Sequence, residues 1–217
     1  MIGTKILEER KSKFNGNLRV VKTWGMGTYI QSDGLTQSGG IVETIWSRTL
    51  RKIHHSQSTV HNSLVLGLGG GTVVKLIRKN WPEAKITGVD IDPIMIGLGK
   101  KYLGLDEYEV DIKIGDALAF SEELKVKKSA SLRVEKFDLV IVDLYNGDQF
   151  PKKFETNNYI HLVRLNLTSS GIAVFNRPYF DDEKREADEF GKKLEKTFEK
   201  VEWFYPEANL MFFCYNE

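Results

Sequence analysis

From residue 64 onward, short apolar runs alternate with stretches whose apolar residues recur every three or four positions. The pattern predicts strands at 64–68, 85–89, 110–114, 137–143 and 171–176, with helices at 72–80, 93–103, 157–167 and 181–198 between or after them. Strands separated by helices imply a parallel sheet, because a parallel pair needs a long crossover. The run Phe137-Asp138-Leu139-Val140-Ile141-Val142-Asp143 is almost wholly apolar, as expected of a central strand covered on both faces. Runs at 201–205 and 209–215 lie too close for a helical crossover and should pair antiparallel. Residues 121–136, rich in Lys, Glu and Ser, read as a surface helix and loop.

Upstream, residues 18–30 alternate loosely and carry β-branched and aromatic side chains interrupted by Gly25 and Gly27, which predicts a small antiparallel hairpin unit. Ser32-Asp33-Gly34 and Ser38-Gly39-Gly40 mark turns, and Ile41, Val42, Ile45, Trp46, Leu50 and Ile53 follow at helical spacing. The chain therefore divides into an N-terminal β-hairpin unit with a helix, 1–56, and a Rossmann-like nucleoside-binding domain, 57–217. The fold class is α/β, a mostly parallel sheet with an antiparallel C-terminal strand. No internal repeat is visible.

The first parallel strand enters Gly67-Leu68-Gly69-Gly70-Gly71-Thr72, and the second ends at Asp90, about twenty residues on, the spacing at which a carboxylate meets a ribose. Glycines here allow close backbone approach, or bring a ligand to unpaired N–H groups at a helix N-terminus. Asp92 precedes Pro93 and suits the cap of the next helix, so Asp90 is assigned to ligand and Asp92 to capping.

Composition narrows the alternatives. With 217 residues, 41% of them hydrophobic and 28% charged, the chain can build one sizeable core, and its net charge of +1 gives no electrostatic case for nucleic acid. Cys214 is the only cysteine and sits in an apolar run; the four histidines lack ligand spacing, so no metal is expected. No apolar run reaches the roughly twenty residues of a membrane span, and the first fifteen residues are charged where a signal peptide is apolar. A cytoplasmic protein with no membrane partner is expected.

Two further aspartates follow strands at the edge where open α/β sheets bind ligands. Asp116, in Gly115-Asp116-Ala117, suits an acceptor for an adenine amine and equally the N-cap of a helix. Asp143 opens the loop Asp143-Leu144-Tyr145-Asn146-Gly147-Asp148; it either ends the strand in an Asx-turn or orients an incoming amine and takes its proton. In the second case Tyr145 walls the pocket and Asp148 holds a second cationic group.

These segments, together with Asp33-Gly34-Leu35-Thr36-Gln37-Ser38-Gly39-Gly40 and Leu167-Thr168-Ser169-Ser170-Gly171, resemble the spermidine synthase family, in particular its divergent spermidine synthase-like members. The resemblance implies a class I methyltransferase fold and transfer of an aminopropyl group from decarboxylated S-adenosylmethionine to an amine acceptor. By motif position Asp90 corresponds to the ribose ligand, Asp116 to the adenine contact and Asp143 to the catalytic carboxylate, with Tyr145 beside it. Gln31, Gly67, Gly69, Gly70, Gly71, Thr72, Ile91 and Ala117 complete the expected nucleoside set, and Asp143 and Asp148 the acceptor set. The hairpin resembles the family's oligomerisation region, so a homodimer is expected.

Two departures stand out. Where the family places an aspartate that grips the aminopropyl amine, this chain has Thr72; where it places tyrosine, glutamine or histidine, and glutamate for the acceptor, this chain has Ser38-Gly39-Gly40. An ammonium without its carboxylate forgoes about 1.5–3 kcal/mol. Methyl transfer from S-adenosylmethionine is the first alternative, and a nucleoside-binding protein without turnover the second.

Overall fold

The computed structural model describes residues 3–56, 59–129, 136–147, 149–181 and 183–216. A seven-stranded sheet runs in the order β10-β11-β9-β8-β5-β6-β7. Its strands are β5 (Asn62–Leu66), β6 (Lys85–Asp90), β7 (Val110–Ile114), β8 (Phe137–Val142), β9 (Leu167–Pro178), β10 (Lys200–Phe204) and β11 (Asn209–Tyr215). The first five are mutually parallel; β11 runs antiparallel to β9, and β10 antiparallel to β11. This is the expected α/β architecture of the class I methyltransferase type.

Period-two patterning sorts the layers. On β5, Val65 joins Ile141, Val174 and Phe213 against Trp46 and Leu50 of α1 (Gly40–Ser56) and Val74 and Ile77 of α2 (Thr72–Asn80). Leu64 and Leu66 face the other way, into a cluster with Val140, Phe175 and Phe212. That cluster also takes in Tyr159 and Ile160 of α5 (Asn157–Asn166) and Phe190 of α6 (Glu183–Glu195). The remaining helices are α3 (Pro93–Leu103) and α4 (Ala117–Ser129).

The chain winds outward from β5 to β6 and β7, then returns to β8 on the opposite side of β5. Strand order therefore reverses between β5 and β8, which opens a crevice at their carboxyl ends. The glycine turn leaves β5 and the Asp143 loop leaves β8 at this point.

The N-terminal part is larger than the expected hairpin. Strands β1 (Thr4–Ser12), β2 (Gly16–Thr23), β3 (Gly27–Ser32) and β4 (Leu35–Gly39) form a separate antiparallel sheet in that order. Leu18, Val20 and Ile30 pack on Met95 and Leu98 of α3. Strand β1 has no apolar face to announce it: eight of its nine residues are exposed or half-buried, and it is held by its ladder to β2. Gly39 and Gly40, both at positive φ, turn β4 directly into α1 and lay the β4 edge over the glycine turn.

Several boundaries differ from the sequence reading, with β5 at 62–66 rather than 64–68. Strand β9 begins at Leu167, where a helix end was expected, because Leu167 pairs with Phe137 across a bulge in the ladder. Helix α6 ends at Glu195 rather than 198. Of residues 121–136, the helical part belongs to α4, and 130–135 lie outside the described residues. Among the described residues no helix is long and apolar enough to cross a membrane.

Candidate active site

At the switch point lies a cavity of about 490 Å³, lined by the glycine turn, the ends of β6, β7, β8 and β9, and the edge of the N-terminal sheet. The glycine turn works by curvature and close packing. Gly67, Gly69 and Gly71 have φ of 89°, 55° and 93°, in the left-handed region that disfavours a Cβ. Its amides, however, are spent inside the protein. The N–H groups of Gly67 and Leu68 donate to Val89 O at 2.9 and 3.1 Å, and Gly71 N–H to Leu68 O at 3.1 Å. Gly69 N–H donates to Asp90 Oδ2 and Gly70 N–H to Ser38 Oγ, both at 2.7 Å. The expectation of free amides for a ligand is thus corrected: neighbouring acceptors satisfy them first. Gly67, Gly69 and Thr72 line the cavity, whereas Gly70 is packed under Ile30, Ser38 and Leu103, and Gly71 against Leu105.

Asp90 stands where the spacing placed it, at the end of β6 and facing the cavity. Its Oδ2 takes the Gly69 amide and its Oδ1 the Asp92 amide at 2.8 Å. Burial raises its pKa, opposed by those N–H groups. With backbone N–H groups filling part of its acceptor capacity, the carboxylate keeps room for a hydroxyl donor. Asp92 caps α3 through Ile94 N–H at 2.9 Å, as read, and takes Asn15 Nδ2 at 2.7 Å. Ile91 lines the cavity between them.

Asp116 fills the cap role read for it and also lines the cavity. Its Oδ1 caps α4, accepting from Leu118 and Ala119 at 3.0 and 3.2 Å, while Oδ2 pairs with Lys153. Burial works against the charge, but the Lys153 ammonium and the helix amides outweigh it and hold the carboxyl below its ordinary range. Ala117 lines the cavity beside it.

Asp143 is held from two sides. Trp46 Nε1 donates to Oδ2 at 3.0 Å and Asn176 Nδ2 to Oδ1 at 2.8 Å. Burial pushes its pKa up to about 6, against the pull of those two donors. Asn209 Nδ2 in turn donates to Asn176 Oδ1 at 2.9 Å, so a polar row leads from Trp46 through Asp143 to Asn209 along the cavity wall. Asn176 was missed in the sequence, and Trp46 reads there as a core residue of its helix. Trp46 is fully buried and obeys the core periodicity of α1, which hides its indole N–H; Asn176 is a strand end with no motif.

Tyr145 lines the cavity, but its hydroxyl donates to the Asn176 carbonyl at 2.9 Å. Burial pushes its pKa far up, so it is a neutral donor to the strand that positions Asp143. The hydroxyl is thereby committed within the protein.

Gln31, on β3, is not among the cavity-lining residues; Gln37 is, and its Nε2 donates to Gly147 O at 3.0 Å. Asp148 lies outside the described residues. Thr72 Oγ1 accepts Gly39 N–H at 2.7 Å, while Ser38 Oγ accepts from Gly70. The two departures from the family pattern therefore touch each other: small residues on the β4 edge sit down on the glycine turn and use Thr72 as their anchor. Among the described residues there is no cluster of three or more His, Cys, Asp or Glu placed to hold a metal ion.

The family model described as "Spermine/spermidine synthase domain" matches residues 47–208. A polyamine aminopropyltransferase of Vibrio vulnificus is 29% identical over 114 residues, covering 52% of this chain and 36% of that protein. Polyamine aminopropyltransferase 1 of Hyperthermus butylicus is 30% identical over 182 residues, covering 78% of this chain and 59% of that protein. The chain thus spans less than two thirds of the length of these relatives. A crystal structure of spermidine synthase in complex with the transition-state analogue AdoDATO superimposes with a TM-score of 0.80 at 15% identity, covering 98% of this chain and 74% of that one.

Proposed function

The chain belongs to the spermine/spermidine synthase family, and from that premise we propose that it binds an adenosyl sulfonium in the switch-point cavity and transfers an aminopropyl group to an amine acceptor. The observation that carries this is the carboxylate of Asp143, fixed between Trp46 and Asn176 with its pKa raised to about 6, on the same cavity as Asp90.

Decarboxylated S-adenosylmethionine supplies an electrophile that needs little activation, because the sulfonium departs as a neutral thioether. The protein's part is to seat and deprotonate. The remaining acceptor capacity of Asp90 suits ribose hydroxyls, Ile91 and Ala117 suit the faces of a base, and Asp116 Oδ2 suits its exocyclic amine. Asp143 holds the acceptor nitrogen by a charge-assisted hydrogen bond and takes its proton as the new C–N bond forms. A carboxylate with pKa near 6 is ionised at neutral pH and is a stronger base than one near 4.

A second reading, methyl transfer from S-adenosylmethionine, is favoured by Thr72, whose oxygen is given to Gly39 N–H in place of a carboxylate for the aminopropyl ammonium. Calorimetry with S-adenosylmethionine, its decarboxylated form and methylthioadenosine ranks the donors. Mass detection of products from a panel of amines then follows turnover. Tighter binding of the carboxylated donor together with methylated products would replace the first reading by the second.

A further inference from the structure

Lys153 is the only Lys, Arg or His side chain lining the cavity among the described residues, and the chemistry above leaves it without a task. Its backbone is firmly held. It lies in a short 3-10 turn, Lys152–Glu155, whose neighbour Phe154 is buried against Tyr159 with ring centroids 4.9 Å apart. Glu155 is tied to the buried Arg177 at 2.7 Å, and Thr156 caps α5 through Tyr159 N–H at 3.2 Å. From there the Lys153 ammonium lies 4.8 Å from the centroid of the Phe154 ring and reaches across to Asp116 Oδ2.

This arrangement sets a hydrogen-bond donor beside an acceptor at one end of the cavity. Asp116 Oδ1 is committed to the α4 amides, so the oxygen left for a ligand is Oδ2, with the lysine Nζ next to it. An adenine edge presents the complementary order: an exocyclic N–H donor flanked by ring-nitrogen acceptors. The ion pair is partly exposed, with side chains 44% and 26% accessible, so a base can enter it without opening a buried bridge.

We propose that Lys153 is a nucleobase-recognition residue, its ammonium donating to a ring nitrogen next to the exocyclic amine while Asp116 accepts from that amine. The assignment rests on the adenosyl reading of the cavity. Lysine is suited to the task because its three donors allow it to keep the carboxylate and reach the ring at once.

Calorimetry of methylthioadenosine and its 1-deaza and 7-deaza analogues against wild type, Lys153→Met and Lys153→Arg tests it. Wild type is expected to bind one deaza analogue about tenfold more weakly than the parent, the size of one charge-assisted hydrogen bond. Lys153→Met should bind the parent about tenfold more weakly and lose its sensitivity to that deaza substitution, and Lys153→Arg should recover most of the affinity. Equal or tighter binding of the parent by Lys153→Met, or an unchanged deaza penalty in that variant, overturns the assignment and leaves the adenosyl reading intact. Failure of wild type to bind methylthioadenosine overturns both.

Discussion

A Cβ on Gly67 would stand 2.0 Å from the backbone oxygen of Asp143. The strand cannot yield, because Asp143 N–H is bonded to Leu66 O at 2.8 Å, and Gly67 itself has φ of 89°. The glycine turn and the Asp143 loop are thus packed backbone to backbone. Gly67→Ala is expected to destabilise the protein by about 1–3 kcal/mol from backbone strain alone, with a further cost from the clash, and to depress turnover by shifting Asp143. Gly97, on the exposed face of α3 with nothing near its missing Cβ, is the control: Gly97→Ala should stabilise by about 0.5–1 kcal/mol. Urea unfolding of the two variants reads the contrast.

The raised pKa of Asp143 predicts opposite pH trends for activity and stability. As a base, it must be ionised, so kcat/KM should climb with pH and level off above about 6. For folding, the native carboxyl keeps a proton that the unfolded chain has already released between about pH 4 and 6. Native Asp143 therefore binds more protons in that window, and stability falls as pH rises through it, by up to about 3 kcal/mol. Asp90, also raised by burial, adds a trend of the same sign, so the Asp143 part is the difference between wild type and Asp143→Asn across the window. That variant should bind nucleoside normally and lose product formation by about a hundredfold or more. Unchanged rates in Asp143→Asn would remove the carboxylate from the chemistry.

Trp46→Phe tests how the carboxylate is tuned. Loss of the indole N–H leaves Asp143 Oδ2 without its 3.0 Å donor, so the ionised form is held by Asn176 alone. The pKa should rise above about 6 and the acidic limb of the rate profile move to higher pH. Because Trp46 is fully buried in the α1 layer, the smaller ring also costs stability, about 1–3 kcal/mol. A cost in stability with an unmoved limb would reduce Trp46 to a packing residue.

What the chain discloses locally and what it conceals follow a physical division. Asp90, Asp116 and Asp143 were readable because each lies at or just past the carboxyl end of a sheet strand, where topology dictates exposure to the crevice, and Asp92 because it precedes the proline that opens α3. Trp46, Asn176, Gln37 and Lys153 come from α1, β9, β4 and a 3-10 turn, and reach the site only once three layers have packed. Nothing in their local spacing marks them. The glycines were found but their amides misjudged, since the acceptor for Gly70, Ser38 Oγ, lies 32 residues away on another sheet. Strand β1 escaped for the converse reason: its ladder to β2, rather than an apolar stripe, makes it a strand.

Thr72→Asp bears on the donor. Position 72 lines the cavity, and its Oγ1 already accepts the Gly39 amide at 2.7 Å, a bond an aspartate oxygen can take over without disturbing the β4 edge. The second carboxylate oxygen is then available to the far end of the donor. An aminopropyl ammonium gains a charged partner there, whereas the carboxylate of S-adenosylmethionine meets a like charge. The ratio of affinities for decarboxylated over intact S-adenosylmethionine should rise by about tenfold to a hundredfold, the worth of one charge-assisted hydrogen bond. Thr72→Val, which leaves the Gly39 amide without an acceptor, should instead lower stability by about 1–3 kcal/mol and leave the ratio where it was. Calorimetry on the three proteins decides the matter. An unchanged ratio in Thr72→Asp means that the donor's tail does not lie against the start of α2, and the departure at this position then has no bearing on which group is transferred.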